Sequence, residues 1–197
     1  MSTFNALGRT ALALRTASPL RSACTLAWRF LRNFGRPFSR SVQVGSSSAM
    51  ILREVDRFMI TVDYSSPLSE LLNSANLDWV APDVYDGIHL PTKATRQMVR
   101  VILFEAIGRV SSELVCQSLA NRCLQPVGLR HLLTIASQCP ERLANRTLVE
   151  LGNKWHGLQH VLIVAGLERT VAGRMLTVDC FNRQWTGEYL FAATSRP

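Results

Sequence analysis

Asp78, Asp83 and Asp86 are the residues of this chain whose type and spacing come nearest to chemistry. Three carboxylates in one loop-rich stretch, residues 76–95, could share a proton for general acid–base work or gather a cation. They lack the alternating spacing and central glycine of a calcium loop. Asp beside Pro82, Gly87 and Pro91 is also ordinary turn chemistry. His156 and His160 are four apart, a ligand spacing on a helix. Gly157 and the run Gln159–Ala165 instead place them across a turn and a strand, where such positions lie roughly 13 Å apart. No His-Glu-x-x-His pattern or cysteine pair supports a metal, and no metal or cofactor is expected.

The five cysteines, Cys24, Cys116, Cys123, Cys139 and Cys180, form no C-x-x-C pair, and none falls at a helix N-terminus that would favour a thiolate. They read as reduced cysteines. His131 beside Arg130 reads as part of a solvated helix face. There is no Gly-rich phosphate loop and no G-x-S-x-G. No catalytic residue is assigned. The remaining candidates are aromatic. Trp79, Trp155, Trp185 and Tyr189 could pack a core or, if gathered on an exposed face, stack on a ligand ring. With Asp83 and Asp86 they make up the candidate binding set.

These residues need elements to hold them. Residues 57–63 alternate and are β-branched, which predicts a strand. Ser66-Pro67 then starts a short helix to about residue 75. Residues 76–95 read as loop. Residues 97–106 predict a second strand, with Arg100 and Glu105 on opposite parities, so that neither face is wholly apolar. Ser111 or Ser112 caps a helix to about residue 122, with Glu113 in its first turn. A second helical stripe runs from Pro126 through Leu129, Leu132, Leu133 and Ala136 to Pro140. From Thr147 the period is two. Residues 147–151, 159–165, 174–181 and 188–193 read as strands, punctuated by Gly157, Gly166, Gly173 and Gly187. Segregated strands predict an α+β fold: a single domain with an antiparallel sheet, two central helices and a C-terminal run of β-hairpins.

Charge divides the chain differently. Residues 1–49 carry seven arginines and no acid, while residues 50–197 are nearly neutral, within a total of +8. The basic leader has three readings. It is a disordered tail, a mitochondrial targeting segment ending near Arg36-Pro37-Phe38-Ser39, or not translated, with Met50 as the start. The whole chain is 47% apolar, enough for a sizeable core in its body. Its near-neutrality disfavours nucleic-acid binding by the body. No apolar run is long enough for a transmembrane helix. The expected compartment is cytoplasmic, or mitochondrial if the leader is a transit peptide.

Three blocks carry a resemblance. They are residues 60–84 with V-D-Y-S and D-W-V, residues 109–141 with L-x-P before a leucine-rich helix, and T-L-V-E-L-G-N-K-W at 147–155. In this order they resemble a family of small uncharacterised bacterial proteins. The resemblance implies a single α+β domain and carries no activity, cofactor or site residue. The functional expectation is a non-catalytic binding or interaction module for a protein or small ligand, its oligomeric state left open. The alternatives are a small hydrolase using the carboxylates of residues 76–95, and a nucleic-acid or membrane associate acting through the leader.

Overall fold

A computed structural model of the chain describes residues 51–88, 90–143, 146–157 and 160–195, apart from the side chains of Asp86 and Gly87. The basic leader lies outside these residues. The fold is α+β, built on one large sheet. Strands β1 (Leu52–Asp63) and β3 (Arg96–Ala106) pair antiparallel over their whole lengths. Next to β3 comes β11 (Tyr189–Ser195), then β6 (Thr147–Val149), β8 (Leu162–Thr170) and β9 (Gly173–Cys180). The far edge is β2 (Trp79–Val80). Short strands β5 (Leu124–Pro126) and β7 (Trp155–His156) pair with β11 and β8. A separate ribbon joins β4 (Val110–Ser111) to β10 (Gln184–Trp185).

The sheet is mixed where the sequence predicts an antiparallel one. The β11–β6 and β2–β9 pairings are parallel, and all the others are antiparallel. Both exceptions join strands distant in sequence, so no hairpin turn dictates their direction.

The central strands bury both faces. In β3, Val101 and Leu103 enter one apolar cluster, while Ile102, Phe104 and Ala106 enter another. In β11, Leu190 and Ala192 alternate in the same way with Phe191 and Ala193. The period of two in the side chains produces this split. Helices α1 (Leu68–Ala75) and α4 (Leu129–Gln138) cover the first face with Leu71, Leu72, Leu129, Leu132, Leu133 and Ala136. Helix α3 (Ser112–Ala120) covers the second with Val115 and Leu119, together with Trp185 and Phe181. The charges of β3 that suggested polar faces are settled locally. Glu105 is buried at the rim and paired with Arg53 and Arg146, and Arg100 is exposed.

Several boundaries differ from the sequence expectation. The stretch 76–95 contains β2 and a short helix, α2 (Pro82–Gly87). Pro126 ends β5, pairing with Ala193, and the helix begins only after Gly128. Strand β8 continues through Gly166 to Thr170. A Cβ at residue 166 would lie 3.1 Å from both Thr147 Cγ2 and Thr177 Oγ1, so this glycine allows close cross-strand packing and does not end the strand. The cap at Ser111 is as expected: its hydroxyl accepts from the Leu114 amide at 3.3 Å.

Candidate functional site

The candidate aromatics do not share one face. Trp185 is wholly enclosed in the second core, edge-on to Tyr189 with ring centroids 5.0 Å apart and edge-on to Phe191 at 5.9 Å. Its Nε1 donates to Ser112 Oγ at 2.7 Å, and that hydroxyl donates to the Phe181 carbonyl. Trp185 therefore presents no face to a ligand. Tyr189 is half-buried, with the Arg183 guanidinium 4.7 Å from its ring centroid. Trp155 is buried in the first core, and its Nε1 donates to the Asp83 carbonyl at 3.2 Å, tying α2 to β7. Asp83 is half-buried in the first turn of α2. The Asp86 side chain lies outside the described residues.

Trp79 is different, being 46% exposed on the edge strand. Beyond the ladder itself, three bonds tie the segment around it to β9. Asp78 N donates to Arg174 O, Ala81 N donates to Leu176 O, and Arg174 N donates to Asp78 Oδ2, each at 2.8 Å. Trp79 is in register with Met175, and Met175 with Glu168. Strand alternation puts Val80 and Leu176 on the first core's face, so Trp79 and Met175 stand on the other. Val171 is fully exposed at the tip of the β8–β9 hairpin.

On the first face of the same segment lies an open cavity of about 440 Å³. Its lining is Asp78, Pro140, Glu141, Arg169, Gly173 and Arg174. Arg169 and Arg174 are directly opposed across the hairpin. Gly173 has φ +121°, and a Cβ there would fall 2.1 Å from Asp78 Oδ2. Only glycine suits both that backbone and that close approach. Of these six residues, Asp78 is the one the sequence marks as a candidate carboxylate. The arginines also leave a local signal: in Arg169-Thr170-Val171-Ala172-Gly173-Arg174, a two-residue turn places them opposite each other.

A second cluster surrounds the start of α4. Gly128, the residue before it, has no side chain to cap with, and Asn153 Oδ1 accepts from the Leu129 amide at 2.8 Å instead. The Asn153 amide in turn donates to Glu150 Oε2 at 2.8 Å. Glu150 is fully buried, and its Oε1 has no partner among the described residues. Burial pushes its carboxyl up to about 8, although the amides of Asn153, Ala165 and Gly152 pull the other way. In the first turn of the helix, the buried Arg130 donates to the carbonyls of Asp63, Ser66 and Pro91. His131 is not a solvated face residue. It is half-buried, 3.1 Å from Tyr64 Oη, and burial, aided by Arg130, lowers it to about 4.

Burial also pushes the thiols of Cys116, Cys139 and Cys180 up, away from a reactive thiolate. Among the described residues, no group of three or more His, Cys, Asp or Glu side chains is placed to hold a metal ion. No described helix is long and apolar enough to cross a membrane. No protein-family model, curated protein or solved structure matches the chain.

Proposed function

We propose that this protein is a non-catalytic binding module and that the β2 end of its sheet is its recognition end. One observation carries the reading. A single short segment, Asp78–Val80, bears an exposed tryptophan on one face and borders a charged cavity on the other. Tryptophan is costly to leave in water and is enriched where one surface meets another. Trp155 and Trp185 support the reading only from inside, as core anchors that fix the sheet.

The alternative, a hydrolase using Asp83, finds less support. Asp83 and Asp78 serve different places, one in the first turn of α2 and the other on the hairpin backbone. The test is a ligand screen by NMR with sugars, short peptides, amino acids and nucleotides, following the Trp79 indole N–H and the amides of β2, β8 and β9. Ligands that perturb this end first support the reading. Ligands that perturb only other surfaces overturn it. Turnover of ester or peptide substrates that disappears in Asp83→Asn would replace it with the hydrolase.

A further inference from the structure

The β8–β9 hairpin places two guanidinium groups on opposed positions, an arrangement that repels unless something answers the charge. Arg174 is answered. Its Nη1 donates to the Ala136 carbonyl at 3.0 Å, in the last turn of α4, where the helix dipole favours a cation. Arg169 is exposed and forms no ion pair among the described residues. The same lining carries two acids. Asp78 spends Oδ2 on the Arg174 amide, and Glu141 makes only a long contact of 3.5 Å with Arg142.

The lining therefore carries two cations and two carboxylates, with no net formal charge. Phosphate or another small anion would reach the arginines but meet the carboxylates. A simple cation would meet the reverse. A molecule with an anionic and a cationic end satisfies both. The volume, about 440 Å³, lies within the range of small-molecule sites, roughly 300–1,000 Å³.

We propose that this cavity binds a small zwitterion, a free amino acid or short peptide with both termini unblocked. The carboxylate sits on Arg169 and the unused N–H groups of Arg174, and the ammonium on Asp78 and Glu141. Charge-assisted bonds at both ends supply the affinity and the orientation. The assignment rests on the reading of the β2 end as the recognition end, and adds to it the class of ligand.

The test uses the full chain and four probes: glycylglycine, N-acetyl-glycylglycine, glycylglycinamide and inorganic phosphate. Binding is followed by amide chemical shifts. Glycylglycine is expected to shift residues 78, 141, 169, 173 and 174 saturably, and each blocked analogue to bind at least tenfold more weakly. Arg169→Gln is expected to weaken glycylglycine at least tenfold with an unchanged circular dichroism spectrum. Glu141→Gln is expected to weaken glycylglycine but not its N-acetyl form. Both variants change exposed side chains, so each checks the other if one fails to fold. Equal binding of blocked and free peptides, tighter binding of phosphate, or indifference to both substitutions overturns the zwitterion. If other ligands still perturb Trp79, only this assignment falls; if nothing binds at this end, the recognition reading falls with it.

Discussion

Replacing Glu150 by glutamine should change the pH dependence of stability more than any other single substitution. The carboxyl is fully buried, one oxygen has no partner among the described residues, and it titrates near 8 in the folded protein against 4.5 for an ordinary glutamate. A raised folded pKa means that the native state holds its proton more tightly than the unfolded chain. The stability associated with the neutral form is fully present below 4.5 and is lost as pH rises through about 8. Between pH 5 and pH 8 the loss integrates to roughly 3–4 kcal/mol at 1.36 kcal/mol per pKa unit. A side-chain amide does not titrate, so this loss should vanish in the variant.

The readout is the difference in unfolding free energy between Glu150→Gln and the unsubstituted protein, from urea titrations at pH 5, 6, 7 and 8. Taking the difference removes the titrations common to both proteins. These include Glu105, held low chiefly by its hydrogen bond from Arg146, and Asp63, held low by Ser65. The variant should gain on the parent steadily with pH, by roughly 3–4 kcal/mol over the range. A difference that stays flat within about 0.5 kcal/mol, well below that linkage span, would refute the reasoning. It would mean that Glu150 is as readily ionised folded as unfolded, and that its buried oxygen has a partner or water beyond the described contacts.

Other substitutions probe the remaining parts. His131→Phe should lose acid sensitivity: the folded imidazole sits near 4 against 6.5, so its stability is full above 6.5 and lost as pH falls through 4. Relative to the parent, the variant should gain about 2 kcal/mol on moving from pH 7 to pH 5 in the same urea assay. Arg130→Met should cost about 2–4 kcal/mol, because the carbonyls of Asp63, Ser66 and Pro91 lose a charged donor together; a cost under about 1 kcal/mol would show that water replaces it. Ser112→Ala should cost about 1–3 kcal/mol by orphaning the Trp185 indole N–H, and the cost should shrink in a Trp185→Phe background. Gly173→Ala should cost about 1–3 kcal/mol of backbone strain and displace Asp78, so glycylglycine binding should weaken along with thermal stability.

What the residues reveal beforehand, and what they hide, follows from the range of each interaction. Alternation in residues 57–63 and 97–106 and the cap at Ser111 are local, and they locate β3 and α3 to within a few residues and the C-terminal part of β1, which begins five residues earlier, at Leu52. The parallel partners of β6 and β2 are set by contacts distant in sequence, where no turn residue leaves a mark. Gly166 reads as a strand end for the same reason, since its need comes from Thr147 and Thr177 on neighbouring strands. Trp185 and Trp79 are the same residue type, yet one fills the second core and the other stands exposed at the sheet edge. Only the folded neighbourhood separates them. Glu150 shows the limit most sharply. Between Val149 and Leu151 it reads as the outward step of an alternating strand, which is where a glutamate belongs. Leu148 enters the first cluster while Val149 and Leu151 enter the second, which sets Glu150 on the face of Leu148, buried because β6 lies between β11 and β8. Its carboxylate accepts from the backbone amide of Asn153, whose side chain caps α4 from outside the helix. The pattern of two holds through Glu150, but which strands lie in the middle of the sheet is set by contacts distant in sequence, so the most perturbed acid among the described residues looks ordinary in the sequence.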